Sequence, residues 1–189
     1  MPFSSNSGKQ YIKNIVSKVR SGTILDIGAG SGTYAKMFPN SDVTGIEVWT
    51  PYIEEYNLNE LYKNIINRDA RKIDYSTIGK FDVAIAGDVL EHMTEIDAQA
   101  LIQNLKQIAD TVIISIPIGY YPQDEYAGNP YEKHITDNWT DEHVKEAFGK
   151  PDWSVVDNEI GIYAWSNQKL GLKICVYGCL LYTSPSPRD

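Results

Sequence analysis

Cysteine is scarce in this sequence of 189 residues, which has only two. Cys175 and Cys179 lie close together, but no second cysteine pair and no nearby histidine completes a zinc site. We therefore assign no redox or metal role to the cysteines.

Positive charge is also in short supply. The chain has 17 Lys and Arg residues against 25 Asp and Glu residues, which gives a formal net charge of −8 and an isoelectric point near 4.9. Binding of nucleic acid through many phosphates relies on clustered Lys and Arg side chains. The composition therefore argues against a nucleic-acid partner and favours a small or cationic one.

Long apolar runs are missing as well. The longest apolar stretches, such as residues 111–118, are far shorter than the roughly 20 residues that cross a bilayer. The N-terminus has no basic segment followed by an apolar one, as a signal peptide would have. We therefore expect a soluble, cytoplasmic protein without membrane insertion.

The length and the hydrophobic content of 42% are enough for one sizeable core, so we expect a single domain over residues 1–178. The last eleven residues, 179–189, resemble the translation of a transposase-type sequencing-library adapter and are excluded from fold reasoning. On this interpretation the natural chain is cut off near Gly178. The alternative is a genuine disordered tail, since Ser/Pro composition alone is typical of one.

Strand and helix signals alternate along the chain. The first helix is predicted over residues 7–19, where apolar residues recur on one face. Buried strands are predicted at 23–27, 42–48, 64–68, 81–86 and 111–117, with a closing hairpin at 153–157 and 161–165. Further helices are predicted at 31–38, at 94–109 and after Thr140. Another is predicted to begin with Thr50 as its N-cap and Pro51 in its first turn, and to carry Ile53, Tyr56 and Leu61. Residues 170–177 are predicted to form another edge strand or to stay unpaired.

This alternation predicts an α/β fold with a doubly wound, mostly parallel sheet of about seven strands and an antiparallel edge hairpin. Ligands of such sheets bind at the carboxyl ends of the strands. The residues that follow each strand are therefore the candidates for function.

A glycine-rich loop, Gly28-Ala29-Gly30-Ser31-Gly32, follows the first strand. Alternate glycines let the backbone turn sharply and approach a ligand without interference from Cβ atoms. The dinucleotide fingerprint requires glycine where this chain has Thr33, so an NAD site is disfavoured. The alternative interpretation is a turn that merely joins a strand to a helix.

Glu47 closes the second strand roughly 20 residues after the glycine loop. At that place a carboxylate can bind both ribose hydroxyls of a nucleoside. The alternative is an exposed carboxylate at a strand end. Val48 and Trp49 follow and are candidates to pack against adenine, although an aromatic residue at a helix entry is more often part of the core.

Two further acidic segments follow later strands. Asp69-Ala70 comes after the third strand, and Asp88-Val89-Leu90-Glu91-His92 comes after the fourth. Taken with the glycine loop and Glu47, these motifs occur in the order and spacing of a known superfamily. Over residues 24–139 the chain resembles the class I S-adenosylmethionine-dependent methyltransferases, which have a Rossmann-like fold.

The resemblance implies S-adenosylmethionine as the cofactor and assigns a role to each motif. Asp26 and the loop residues Gly28, Ala29, Gly30 and Gly32 would line the methionine and ribose side. Glu47 would hold the ribose, with Val48 beside it. Asp69 and Ala70 would contact the adenine, and Asp88 and Val89 the methionyl end. Residues 88–92 look especially like those of small-molecule and lipid-quinone methyltransferases.

The long, polar and aromatic segment 119–139 is predicted to form a lid over a small-molecule acceptor. His134 is the preferred candidate for a general base, because imidazole titrates near neutral pH, and His92 is the second. For each histidine the alternative interpretation is a purely structural role. Asp88 and Glu91 could assist the reaction by binding a metal ion, but no further ligand pattern in the sequence supports this. We therefore predict no metal site.

Several competing functions are weighed against O-methylation of a small molecule. The fourth-strand loop lacks the Asn/Asp-Pro-Pro-Tyr sequence of DNA amino-methylating enzymes, and neither cysteine follows a proline as in cytosine-carbon methylases. Aminopropyl transfer lacks a paired acidic gate. Two alternatives remain open: protein methylation, and a module that binds the cofactor or another nucleoside without turnover. The sequence does not determine the acceptor or the oligomeric state.

Overall fold

A computed structural model describes residues 8–168 of the chain. The two cysteines, the possible edge strand at 170–177 and the proposed adapter segment at 179–189 lie outside these described residues.

The described chain forms one seven-stranded sheet. Its strands are β1 (Thr23–Ile27), β2 (Asp42–Glu47), β3 (Asn64–Asn67), β4 (Phe81–Gly87), β5 (Ala109–Pro117), β6 (Trp153–Asp157) and β7 (Ile160–Ser166). They lie in the order β3-β2-β1-β4-β5-β7-β6. The first five are parallel to one another, whereas β7 runs antiparallel to both β5 and β6. The predicted fold class is confirmed, including the antiparallel hairpin at one edge.

Helices cover both faces of the sheet. They are α1 (Lys9–Val16), α2 (Thr33–Met37), α3 (Thr50–Glu55), α4 (Leu58–Leu61), α5 (Glu95–Ile108) and α6 (Asp141–Phe148). Side chains of a buried strand alternate between two cores. Val83 and Ile85 of β4 pack with α1 to α4, while Ala84 and Ala86 pack with α5 and α6. This alternation explains why the strands read as continuous apolar runs.

Two threonines begin the long helices as predicted. The Thr94 hydroxyl accepts a hydrogen bond from the Asp97 N–H before α5, and the Thr140 hydroxyl accepts one from the His143 N–H before α6. Both side chains satisfy a backbone donor that has no partner inside its helix.

The segment after β2 differs from the prediction of a single helix capped by Thr50. Trp49 occupies the cap position, and the Thr50 hydroxyl instead donates to the Asn67 side chain at 2.9 Å. The helix then ends, because Asn57 adopts a left-handed backbone with φ of 51°, and α4 starts anew at Leu58. Asn is one of the few residues that tolerate this conformation.

Within residues 8–168, no helix has the length and apolar character needed to cross a membrane.

Candidate active site

The strand order changes direction between β1 and β4, and the candidate site lies at the carboxyl ends of these two strands. Adjacent strands there send their connections to opposite faces of the sheet, which opens a crevice. The crevice, called the cofactor cleft below, is lined by most of the strand-end residues that the sequence singled out. These are Gly28, Gly30, Glu47, Val48, Asp69, Ala70, Asp88, Val89 and His92.

The glycine loop needs its glycines for both conformation and space. Gly28 has φ of 71°, and a Cβ atom at this position would lie 2.7 Å from Cγ2 of Val89. The N–H groups of Gly28 and Ala29 both donate to the carbonyl of Ile46, at 2.9 and 3.0 Å. The loop is therefore tied to the end of β2 while it passes close to the loop after β4.

Glu47 points inward and is only 5% exposed. Its Oε2 accepts the Gly30 N–H and its Oε1 accepts the Trp49 N–H, each at 2.8 Å. Burial raises the pKa of Glu47, and the two backbone hydrogen bonds partly offset this effect. Each carboxylate oxygen has a second lone pair, so the group can still accept hydroxyl groups from a ligand.

Asp69 is held by a neighbour that the sequence analysis missed. Arg71 contacts both carboxylate oxygens of Asp69, with Nε to Oδ1 at 2.9 Å and a second guanidinium nitrogen to Oδ2 at 2.7 Å. These hydrogen bonds lower the pKa of Asp69. The carboxylate is therefore ionised and fixed in orientation beside Ala70, and Arg71 itself lines the cleft.

Asp88 has an unusual backbone conformation for a residue with a side chain, with φ of 55°. Its N–H donates to the carbonyl of Ser115 at 2.9 Å, and its Oδ1 accepts the Ser115 hydroxyl at 3.0 Å. Strained residues of this kind are typical of functional sites. The strain turns the chain sharply after β4 and places Val89 against Gly28.

Three loop-region residues predicted to line the cofactor do not line the cleft: Asp26, Ala29 and Gly32. Asp26 is fully buried on the same sheet face as Ile24, where the Tyr62 hydroxyl donates to its Oδ2 at 2.5 Å. Ala29 packs in the core beside α2, and Gly32 faces Leu61. Trp49 lies near Tyr131 and is also absent from the cleft lining.

The lid also lines the cofactor cleft, through residues that the sequence analysis did not assign to it. Asn129, Tyr131 and Glu132 line the cleft opposite the strands, together with Tyr52 of α3. Glu132 is buried and accepts a hydrogen bond from the Tyr52 hydroxyl at 3.1 Å. The cleft is thus lined by four carboxyl groups, those of Glu47, Asp69, Asp88 and Glu132, against the two guanidinium groups of Arg68 and Arg71. This excess of acidic groups suits a ligand with positive charge.

A second cavity of about 400 Å³ adjoins the cofactor cleft. Asp88 and His92 border both spaces, and His134 lines only the second cavity. The remaining lining residues are Glu91, Pro117, Tyr121, Gln123, Asn158, Glu159 and Ile160. The two predicted base candidates therefore meet at one cavity, next to the Asp88 end of the cleft.

The rings of His92 and His134 are 4.8 Å apart, edge to face. Nδ1 of His92 lies 3.2 Å from the carbonyl of Lys133, and Nδ1 of His134 lies 2.6 Å from the carbonyl of Tyr121. Since a carbonyl only accepts, each Nδ1 carries the proton and each Nε2 keeps its lone pair. Burial lowers the pKa of both histidines, so the rings are neutral at pH 7.

Backbone hydrogen bonds hold the lid in place beside the second cavity. Gly119 pairs with Trp139, and Tyr121 with Asp137, across the two arms of the segment. The N–H groups of Ile135 and Thr136 both donate to the carbonyl of Glu91, at 2.8 and 3.1 Å. His134 is thereby fixed next to the loop after β4.

Residues 24–111 match a family model described as a methyltransferase domain. This segment contains the glycine loop, Glu47, Asp69 and the loop after β4. A search of curated proteins found no sequence with a significant match.

The fold is shared with solved methyltransferase structures at low sequence identity. The N-terminal domain of EvdMO1, solved with S-adenosylhomocysteine bound, is 13% identical with a TM-score of 0.62, and the match covers 85% of this chain and 80% of that one. Magnesium protoporphyrin IX methyltransferase from Synechocystis PCC 6803, with bound S-adenosylmethionine, is 16% identical with a TM-score of 0.60, covering 82% and 76%. The CcbJ methyltransferase from Streptomyces caelestis is 10% identical with a TM-score of 0.67, covering 86% and 90%.

The family match lies on the strands and loops that build the cleft, and the fold is that of methyltransferases. The methyltransferase-domain match over residues 24–111 and the shared fold together indicate an S-adenosylmethionine-dependent methyltransferase.

Proposed function

We propose that this methyltransferase transfers the methyl group of S-adenosylmethionine to a hydroxyl group of a small molecule. The observation that carries the proposal is the second cavity, which borders the cleft at Asp88 and His92 and is lined in part by Tyr121, Gln123 and His134 of the lid. A cavity of about 400 Å³ next to the cleft has the size for a small acceptor.

The cofactor's charge and shape fit the residues of the cleft. S-adenosylmethionine carries a sulfonium and an ammonium group, and Glu47, Asp88 and Glu132 give the lining negative charge. The bare backbone at Gly28 allows close approach of the ligand. In this placement Glu47 receives the ribose hydroxyls, Asp69 receives the adenine amino group, and Asp88 and Val89 face the methionyl end.

Methyl transfer from a sulfonium is an in-line displacement. The acceptor oxygen forms a bond to the methyl carbon as the carbon–sulfur bond breaks, and the hydroxyl proton leaves the oxygen. The protein must chiefly align the two reactants and accept that proton. His134 and His92 are neutral and present their Nε2 lone pairs, so either can take the proton; His134 lies wholly on the acceptor side.

The experiment follows a tritiated methyl group from the labelled cofactor into a cell extract, which is then separated into small-molecule and protein fractions. The proposal predicts label in a small molecule, recovered as a methyl ether. Label confined to the protein fraction would support protein methylation instead. Tight cofactor binding without label in any fraction would indicate a binding module.

A His134→Ala variant tests the acceptor side separately. Because His134 does not line the cofactor cleft, we expect the affinity for S-adenosylhomocysteine to stay within about twofold of wild type. Loss of a positioned base typically lowers turnover by about 10²- to 10⁴-fold. His143→Ala is the matched control, since His143 pairs with Glu95 away from both cavities.

A further inference from the structure

Three side chains with metal-binding groups converge in the second cavity. Glu91, His92 and His134 each present one such atom, and the three atoms lie within 4.8 Å of one another. Glu91 and His92 belong to the short 3₁₀ helix after β4, whereas His134 comes from the lid. The sequence analysis predicted no metal site because the third residue lies on a distant segment of the chain.

Glu91 is the first observation that points to a ligand. Its side chain is only 1% exposed, and its Oε2 has no hydrogen-bond partner. A buried polar atom without a partner is costly, and a carboxylate is the costliest case. Burial, and then the charge of Asp88, raise the pKa of Glu91.

The two imidazoles supply the second observation. Each binds a backbone carbonyl through Nδ1, His92 at Lys133 and His134 at Tyr121. Histidines that bind metals usually donate their other ring N–H in this way, which fixes the ring and the tautomer. Both rings are neutral and lie edge to face next to the buried carboxylate. The ligands are thus already oriented by their surroundings.

We propose that Glu91, His92 and His134 bind a divalent transition-metal ion in the second cavity, through one carboxylate oxygen and two Nε2 atoms. Two imidazoles and one carboxylate are the donor set of Zn²⁺, Mn²⁺, Fe²⁺ and Co²⁺ sites and leave coordination positions open. Since two ligands at about 2.1 Å from an ion are at most about 4.2 Å apart, and the three atoms lie within 4.8 Å of one another, a pair at that limit must close by at least about 0.6 Å. His134 lies on the lid, so this closure would draw the lid toward the loop after β4.

The ion would determine which acceptors bind, an inference that rests on the proposed function. An open coordination position beside the cofactor cleft binds the hydroxyl oxygen of the acceptor and lowers the pKa of that hydroxyl. The proton passes to solvent, the bound oxygen attacks the methyl carbon, and the thioether product leaves. The site therefore selects acceptors with a metal-binding hydroxyl, such as a catechol or another adjacent pair of oxygens. With the ion bound, the histidines act as its ligands instead of accepting the proton directly.

The test uses Co²⁺ as a spectroscopic probe on the full chain, purified without a histidine tag and stripped with a chelator. We expect one equivalent of Co²⁺ to bind, with visible absorption bands that report nitrogen ligands. His134→Ala should weaken this binding by at least about tenfold. Glu91→Gln should do the same, and His143→Ala should bind like wild type. His134 is half-buried, so its variant keeps the test valid if Glu91→Gln fails to fold.

Three outcomes would overturn the proposal: no stoichiometric Co²⁺ binding, equal binding by wild type and His134→Ala, or equal loss in His143→Ala. Titration of the same samples with S-adenosylhomocysteine separates this inference from the proposed function. Cofactor binding without Co²⁺ binding rejects only the metal site, whereas Co²⁺ binding without cofactor binding rejects the proposed reaction.

Discussion

Glu47 at the end of β2 accepts a hydrogen bond from the backbone N–H of Gly30 at 2.8 Å. The two features that the sequence identified separately, a glycine loop and a carboxylate at a strand end, are thus in direct contact. The same carboxylate also binds the Trp49 N–H. Glu47 therefore stabilises the shape of the cleft in addition to offering lone pairs to a ligand.

The buried carboxyl group of Asp26 predicts an unusual pH dependence of stability. Burial raises its pKa to about 8, the Tyr62 hydrogen bond opposes this shift, and the charge of Glu47 adds to it. The folded state then holds the proton more tightly than the unfolded chain. The group contributes stability below about pH 4 that is lost progressively as the pH rises toward 8.

The Asp26→Asn variant should not show this loss of stability with rising pH, because the asparagine amide does not ionise. The free energy of unfolding of the variant, relative to wild type, should increase between pH 5 and pH 8 by more than about 1.4 kcal/mol, the equivalent of one pKa unit. Urea denaturation at several pH values measures it. Tyr62→Phe is the companion variant: it removes the hydrogen bond that opposes the raised pKa of Asp26, so the loss of stability should continue to higher pH than in wild type. Parallel pH profiles for wild type and Asp26→Asn would show that Asp26 is ionised throughout.

Asp69 should recognise the amino group of adenine. The comparison uses S-adenosylhomocysteine and S-inosylhomocysteine, in which an oxygen replaces that amino group. Wild type should prefer the adenosyl ligand by at least about 1.5 kcal/mol, as expected for a hydrogen bond to a charged group. Asp69→Ala should lose the preference, and Asp74→Ala, at an exposed turn, should retain it. A preference that survives in Asp69→Ala would place the adenine elsewhere.

The cap of α6 gives a prediction about stability alone. The Thr140 hydroxyl accepts the His143 N–H at 3.1 Å, and losing such a cap costs about 0.5–2 kcal/mol. Thr140→Ala should lower the free energy of unfolding by this amount, measured by urea denaturation, without changing cofactor affinity. Thr140→Ser keeps the hydroxyl and should stay close to wild type. Equal stability of Thr140→Ala and wild type would mean that solvent replaces the cap.

The order of strands and helices was predictable because local signals agree with the fold. Apolar runs mark the buried strands, and Thr94 and Thr140 mark helix starts by chemistry that acts within one turn. The division between α3 and α4 was not predictable. Tyr56 and Leu61 suit one continuous helix, and only the backbone conformation of Asn57 shows the break.

The site was predictable where it follows strand ends, because the carboxyl ends of parallel strands meet at one edge of the sheet. For this reason the sequence correctly placed Glu47, Asp69 and Asp88 together, and all three line the cleft. The direction of the Asp26 side chain was not predictable, since both faces of β1 are buried and no polar pattern distinguishes them. Glu132 was missed because tertiary contacts, such as those of Ile135 with Glu91, set the path of the lid.

The central claim is that the glycine loop and Glu47 together bind the adenosine part of the cofactor. The most direct test is calorimetric titration of wild type, Glu47→Ala and the surface control Glu60→Ala with S-adenosylhomocysteine. The same proteins are titrated with adenosine and 2′,3′-dideoxyadenosine to separate contact with the ribose from support of the loop.

Removing the carboxylate should weaken S-adenosylhomocysteine binding by about 1–3 kcal/mol, the cost of leaving polar groups without partners. Glu47→Ala should also lose the preference for adenosine over its dideoxy analogue, while Glu60→Ala keeps both affinities. If Glu47→Ala binds S-adenosylhomocysteine as tightly as wild type and still discriminates the two nucleosides, the ribose does not lie at Glu47 and the account is contradicted.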